Sequence, residues 1–398
     1  MIKITPKYTI KKPKISKWRK KIVAVGMSGG VDSTVAAFLL KQKKYDVIGI
    51  TMKIWDGPPH SGVKKNGCYG PGENDDIKDA AQAAKMMKIR HYIINLTKEY
   101  KKDVLKYFCS EYEKGRTPNP CVVCNTKIKF DQLLIKAFKS GIKFDYFATG
   151  HYARLRREIL NHKSQIPNKL QSVPPVGGWS IKSKIFYQLL KAKDKIKDQS
   201  YFLYRLKQNQ LKKIIFPLGD KTKQEVRQIA QKNGFIYYNR KKESQNFIEA
   251  DNYFSLLPVG QKGQIIDYQG NVLGKHQGIS HYTIGQRKNL NISGLREPYY
   301  VLEINAKKNI IIVGPKEFSY SKTAKIKNIN WIIGPKIIKK KIIEAKIRYG
   351  TKPAKCKISI KGKMVILNFI KPQFAITPGQ SAVFYSGDKL LGGGTIVG

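Results

Sequence analysis

The run Ile22-Val23-Ala24-Val25-Gly26-Met27-Ser28-Gly29-Gly30-Val31-Asp32-Ser33 constrains this chain more than any other stretch. Its first part is unbroken apolar sequence, the pattern of a strand buried on both faces. Its second part is a glycine-rich turn, and the spacing of Val35, Ala36, Leu39 and Leu40 beyond it marks a helix. A tight glycine turn feeding a helix start exposes backbone N–H groups that cradle phosphate oxygens. Ser28 and Ser33 add hydroxyl donors, and Asp32 is a candidate magnesium ligand. The run lacks the Gly-Lys-Ser/Thr of the lysine-containing phosphate loop, which disfavours transfer of a γ-phosphate. Simple turn geometry is the plain alternative. The full hexapeptide between strand and helix argues for the cradle.

The alternation continues downstream. Residues 46–51 read as a second strand, 75–87 as a helix and 91–96 as a third strand. A helix over about 98–113, a proline-broken loop, a helix over about 127–139 and a strand at 145–149 complete the series. Strands alternating with helices predict an α/β fold with a parallel sheet covered on both faces. Active sites in such folds lie at the carboxyl ends of the strands. Residues 161–184 are polar, with Pro174-Pro175 and Gly177-Gly178, and read as an insertion. Residues 186–235 read as mainly helical. Beyond about 260, short strands with Gly-rich turns predict an all-β region.

At 398 residues the chain is long enough for two or three domains. It carries 76 Lys plus Arg against 27 Asp plus Glu, a net charge of +49 that suits a polyanionic partner such as nucleic acid. Lys supplies 64 of those basic residues, so compositional drift accounts for part of the excess. No run of about 18 uncharged apolar residues occurs, and no transmembrane helix or membrane partner is expected. Five cysteines at uneven spacing do not make a secreted disulfide framework, and a reduced, cytoplasmic setting is expected. Residues 1–20 hold eight basic and no acidic side chains. They read as a disordered basic extension, with an organellar address left open.

Gly115-Arg116-Thr117-Pro118-Asn119-Pro120-Cys121-Val122-Val123-Cys124-Asn125 supplies the second constraint. Two prolines make a rigid approach to a Cys-x-x-Cys at a helix start, where the dipole and nearby cations should lower the thiol pKa. A zinc half-site, a redox pair, iron–sulfur ligands, a sulfur carrier and a structural pair all use this spacing. No second Cys-x-x-Cys exists to complete a zinc ribbon.

The segment from Ser28 to Ser33 resembles the pyrophosphate-binding loop of the ATP pyrophosphatase (PP-loop) superfamily, which cleaves ATP between its α and β phosphates. With the Cys-x-x-Cys, the chain resembles the tRNA-specific 2-thiouridylases over nearly its whole length. The further matches are Ala148-Thr149-Gly150-His151-Tyr152-Ala153, Lys197-Asp198-Gln199-Ser200-Tyr201-Phe202-Leu203, Gly274-Lys275-His276-Gln277-Gly278, Tyr282-Thr283-Ile284-Gly285-Gln286-Arg287-Lys288, Arg348-Tyr349 and Pro378-Gly379-Gln380.

The resemblance implies a parallel-sheet, adenine nucleotide alpha hydrolase-like domain over 21–215, a central domain over 216–315 and an RNA-binding β-barrel over 316–398. It implies that Gly26, Met27, Ser28, Gly29, Gly30, Val31, Asp32 and Ser33 bind ATP with Met52 and Gly150, alongside Mg2+. Asn119, Pro120 and Cys121 would lie against a flipped wobble uridine of tRNA. Lys197, Asp198, Gln199, Arg348, Tyr349 and Gln380 would touch the RNA. His151 would orient the base or merely cap its loop. Adenylation of the C2 oxygen and displacement of AMP by sulfur would follow. The implied partners are tRNA and a sulfur donor: a cysteine desulfurase, a carrier protein or sulfide.

One departure stands out. Many members carry a second reactive cysteine in a central segment that here reads Glu243-Ser244-Gln245-Asn246-Phe247-Ile248-Glu249, without one. Cys68, in the glycine- and proline-flanked loop Asn66-Gly67-Cys68-Tyr69-Gly70-Pro71-Gly72-Glu73, is the candidate replacement. Cys68, Cys121 and Cys124 would then ligate a [4Fe-4S] cluster with one open iron, or work as a persulfide pair with Cys68 in reserve. Cys109 and Cys356 read as buried fillers. The alternatives are the same chemistry on another RNA uridine and, more remotely, a non-catalytic RNA-binding protein.

Overall fold

The apolar run forms strand β1 (Ile22–Gly26), with Val23, Ala24 and Val25 fully buried. Val23 and Val25 enter one core and Ala24 the other, so the strand needs apolar side chains on both faces. The computed structural model describes residues 19–57, 67–160, 184–235, 238, 246–249, 256–257, 260–295, 297–334 and 342–398. Readings on residues 1–18 of the basic extension, on the insertion from 161 to 183, on Asn66 and on Glu243-Ser244-Gln245 fall outside them.

Helix α1 (Val31–Gln42) follows the turn, then β2 (Asp46–Lys53), β3 (Gly67–Tyr69), α2 (Glu73–Met86) and β4 (Arg90–Asn95). Next come β5 (Tyr146–Thr149), β6 (Arg154–Leu160), β7 (Lys184–Leu190) and β8 (Ile214–Ile215). Five strands make one parallel sheet in the order β4-β2-β1-β5-β8. The chain leaves β1 toward β2 and β4, then returns to β5 on the other side. The switch point therefore lies between β1 and β5, where Gly26 pairs with Thr149. Open α/β sheets bind ligands outside the carboxyl ends at that point.

Two helical runs join β4 to β5, and each contains a π-helical stretch, Lys101–Leu105 and Cys124–Gln132. The second run starts at Pro120 rather than at about 127. Asn119 caps it, its side chain accepting from the Val122 N–H at 3.4 Å, and Pro120 opens the first turn.

Three expectations need correction. Residues 186–235 are not mainly helical: β7 forms an antiparallel hairpin with β6, and only Ser200–Leu203, Gln208–Leu211 and helix α3 (Lys223–Lys232) are helical. Residues 216–235 do not leave the first domain. Val226, Ala230 and Phe235 share a core with Val35 and Ala36 of α1, and the Phe38 and Phe235 rings lie 5.6 Å apart. Cys68 sits on a strand and not in a tight loop, because β3 pairs in parallel with β9 (Asn246–Ile248).

The central region is a four-stranded sheet of β10 (Gly263–Asp267), β11 (Val272–His276), β12 (Tyr300–Asn305) and β13 (Ile310–Gly314). Buried His276 pins it, accepting from Gly278 N at 3.1 Å while its Nε2 meets the Asn309 carbonyl. The last region comprises β14 (Tyr320–Trp331), β15 (Ile342–Lys346), β16 (Ala354–Lys361), β17 (Met364–Phe374), β18 (Ser381–Ser386) and β19 (Lys389–Ile396). Pairing of β14 with β19 closes these six strands into a barrel. The barrel is fused to the α/β domain twice. Strand β19 pairs with β7 at Lys389 and Leu190, and Val383, Tyr385 and Leu390 join Leu189, Tyr201 and Leu203 in one core. Among the described residues no helix is long and apolar enough to cross a membrane.

Phe384 is fully buried in the barrel core, 5.6 Å from the Trp331 ring. Phe384→Ala should cost about 3–5 kcal/mol. A urea titration followed by tryptophan fluorescence measures it, and a loss well under 1 kcal/mol would contradict a packed barrel.

Candidate active site

Gly30 caps α1, and the turn before it folds on itself. Ser28 N donates to Ser33 Oγ at 3.1 Å, and Ser33 Oγ donates to the Gly30 carbonyl at 3.0 Å. Gly29 has φ +70°, and a Cβ there would stand 2.3 Å from the Asp76 carbonyl, so only glycine fits. Gly150, just past β5, is also in close approach: a Cβ there would lie 2.8 Å from Ser33 N. Between the two turns lies a cavity of about 290 Å³. Every residue from 26 to 33 except Gly29 lines it, with Met52, Gly150, His151 and Gln199. Cys68, Glu73 and Lys129 are also part of the wall.

Asp32 is already engaged. Its Oδ1 accepts from Lys223 Nζ at 2.7 Å and from the Tyr152 hydroxyl at 2.8 Å, and its Oδ2 accepts from Lys223 at 2.9 Å. Lys223 is 8% exposed and stands at the start of α3, behind a Thr222–Glu225 capping box. As arranged, the carboxylate does not fit a magnesium ion, because a buried ammonium neutralises it.

The thiols also depart from expectation. Burial, and then repulsion from Cys68 and Cys124, pushes Cys121 up to about 12; burial likewise pushes Cys124 up to about 11. The helix start does not lower them, since desolvation outweighs both the dipole and the nearby cation. Cys68 is exposed on its strand, Cys121 is half-buried and Cys124 is buried. The three lie near enough to influence one another electrostatically, but only Cys68 lines the cavity. Among the described residues, however, no group of three His, Cys, Asp or Glu side chains is arranged to hold a metal ion. The three cysteines as they stand do not fit an iron–sulfur cluster. Cys109 donates to the Leu256 carbonyl at 3.2 Å, and Cys356 is buried in the barrel.

Lys129 is the cation among these sulfurs. Burial works to lower its pKa, but Cys124, Cys68 and Cys121 outweigh it and hold the ammonium above its usual value. Sequence reasoning missed this residue because α-helical spacing puts Ile128 beneath Cys124. The π-helix widens the repeat to i+5 and turns Lys129 to that face. The detectable signal was the lysine five residues past the second cysteine.

His151 Nδ1 lies 2.8 Å from Thr149 Oγ1, and burial and then the Lys129 charge depress its pKa to about 3. It is neutral at physiological pH and suits hydrogen bonding better than proton shuttling. Glu73 accepts from Ile54 N at 2.7 Å and Trp55 N at 2.8 Å, tying the end of β2 to the start of α2. Burial nevertheless raises its carboxyl to about 7.

Several residues expected at the RNA have hydrogen-bond partners within the protein. Asp198 is buried and accepts from Ala192 N and Ser200 Oγ, both at 2.9 Å. Gln199 faces the cavity and accepts from Tyr152 N at 3.0 Å, and Asn119 is a buried helix cap. Arg348 donates to the Ile284 carbonyl at 3.0 Å and to Thr377 Oγ1. Gln380 donates to the Thr117 and Pro118 carbonyls at 3.2 and 2.9 Å. Lys197 is half-buried, and Tyr349 is exposed, with its ring 4.4 Å from Phe202.

Comparison with known proteins agrees with this layout. Residues 21–249 match the tRNA methyl transferase HUP domain, 255–315 the tRNA methyl transferase PRC-barrel domain and 321–396 the aminomethyltransferase beta-barrel domain. The tRNA-specific 2-thiouridylase MnmA of Endomicrobium trichonymphae is 43% identical over 383 residues, covering 94% of this chain and 98% of that protein. This chain belongs to the tRNA-specific 2-thiouridylase family. The MnmA proteins of Clostridium perfringens and Halothermothrix orenii are 41% and 43% identical, with 95% and 94% of this chain covered and 98% of each relative. Within this 2-thiouridylase the first matched unit ends at 249, which takes in α3 and Lys223.

A raised carboxyl favours the folded state while it is protonated. The Glu73 contribution is therefore full below about pH 4.5 and is lost as pH rises through about 7. Discounted for screening at the cavity wall, the loss is about 2 kcal/mol. Glu73→Gln should flatten this fall in stability between pH 5 and 8 while lowering stability at pH 5, because the amide cannot accept both N–H groups. Urea melts at both pH values measure the difference.

Proposed function

We propose that the protein is an ATP-dependent tRNA uridine 2-sulfurtransferase acting on the wobble uridine. The observation that carries this is a single cavity at the switch point, in which the phosphate cradle, Lys129, His151 and Cys68 face one another. The family membership supports tRNA as the substrate.

The turn within residues 26–33 holds the triphosphate by the backbone N–H groups at the start of α1, with Met52 and Gly150 shaping the site. The uridine O2 attacks the α-phosphorus, forming an O–P bond as pyrophosphate leaves. His151, neutral and held through Thr149, orients the base without contributing a proton. Magnesium, when present with the nucleotide, offsets phosphate charge; at Asp32 it would have to compete with Lys223.

Sulfur then arrives as a persulfide on Cys121 or Cys124, loaded by a desulfurase, a carrier protein or sulfide with an oxidant. Its terminal sulfur attacks C2, and AMP departs with the original oxygen. A second thiol, from the other cysteine of the pair or from Cys68, attacks the carrier Sγ. The S–S bond breaks, the sulfur stays on C2, and the resulting protein disulfide is reopened by a thiol reductant. Both cysteines start from raised pKa values, so Lys129 is the group that favours the attacking thiolate. No step is routed through an iron–sulfur cluster.

Cys121→Ser should abolish thiolation, read as 2-thiouridine by nucleoside mass spectrometry, while tRNA-dependent pyrophosphate release persists. Loss of both together would place Cys121 in the adenylation step instead. Protein prepared anaerobically should thiolate tRNA with no iron by elemental analysis, and iron-dependent activity would replace the persulfide route with the cluster. Mapping the thiolated nucleotide to a position other than the wobble uridine would overturn the RNA assignment.

A further inference from the structure

The segment leading to Cys121 is held from both sides. Within the α/β domain Arg116 pairs with Glu111, and Asn119 N donates to the Tyr107 hydroxyl at 3.2 Å. From outside it, the barrel turn holds Thr117 and Pro118. Thr117 N donates to the Pro378 carbonyl at 2.9 Å, and Gln380 Nε2 donates back to the Thr117 and Pro118 carbonyls. Gly379 between them has φ +92°, and a Cβ there would stand 2.6 Å from the Thr117 carbonyl oxygen. The barrel turn and the loop thus lie backbone against backbone. That turn is anchored in turn to β19, Gly379 N donating to Ile396 O at 2.9 Å and Ile396 N to Gln380 O at 2.8 Å.

The contacts close into a ring through the central region. Thr117 Oγ1 donates to Thr283 Oγ1 at 3.2 Å, and the adjacent Ile284 carbonyl takes Arg348. Arg348 also reaches Thr377 Oγ1, one residue before Pro378. All three regions therefore meet at Thr117. From Pro118, the last residue Gln380 holds, the chain runs through capping Asn119 and Pro120 to Cys121. Two prolines leave that path little freedom.

We propose that Gln380 is a positioning residue for Cys121, making the placement of this thiol depend on the barrel and central region, the surfaces that would grip RNA. The side chain acts through the Thr117 and Pro118 carbonyls and need not touch the RNA. The proposal rests on the reading of Cys121 as the thiol at the reacting base.

The test follows alkylation of Cys121 by iodoacetamide, read by peptide mass spectrometry, with and without a tRNA transcript. This signal reports the thiol whether or not it carries sulfur, so failure of the sulfur-transfer reading leaves it intact. In the unsubstituted protein, tRNA should change the alkylation rate about tenfold. In Gln380→Met the response should shrink to about twofold or less, with tRNA affinity within about threefold of the parent. Single-turnover thiolation should fall about ten- to a hundredfold at unchanged KM for tRNA. Thr117→Val, which removes only the link to Thr283, should give an intermediate response and serves if the Gln380 variant does not fold. A full tRNA response in Gln380→Met, or none in the unsubstituted protein, would overturn the proposal. Loss of tRNA affinity with the Cys121 response intact would make Gln380 an RNA contact instead.

Discussion

Everything at this site depends on how closely two turns approach each other. Gly150 after β5 packs so near the backbone at Ser33 that a Cβ would not fit between them, because β1 and β5 are hydrogen-bonded neighbours. Any side chain at position 150 would push the turns apart and open the cavity between them. The parallel strand order makes that contact available, and the two glycine-containing turns exploit it. The nucleotide loop, His151 and the wall carrying Lys129 are all located by reference to this one contact.

Electrostatically the site pairs each costly group with a specific neighbour. Asp32 is neutralised by Lys223, Lys129 lies beside three sulfurs whose thiolate forms it would favour, and His151 is kept uncharged beside Lys129. These groups sit where solvent is scarce, and an unpaired charge there would be severely penalised. An incoming polyanion therefore meets cations already held in place, and binding exchanges one set of partners for another.

The fold was legible in the sequence wherever one element buries its own pattern. The apolar run of β1 and the spacing of α1 could be read directly, as could the late strands with their glycine turns. The sequence could not reveal elements whose character comes from a distant partner. Strand β3 exists because β9 pairs with it, and Lys223 reaches Asp32 across 191 residues. At the site, the phosphate loop and the paired thiols were visible as local motifs. Lys129 was hidden by a π-helical register, and the carbonyl partners of Arg348 and Gln380 lie too far along the chain for any local pattern to show them.

The sharing of β19 has a consequence for biosynthesis. This strand closes the barrel against β14 and extends the sheet to β7, 199 residues earlier in the chain. A ribosome-bound chain can complete its parallel sheet early, but the barrel and the clasp on Thr117 await residues up to 396. During translation the nascent chain therefore forms the cavity at the switch point before its cysteine loop is locked. A half-made chain can complete the turn at residues 26–33 without yet fixing the segment that leads to Cys121.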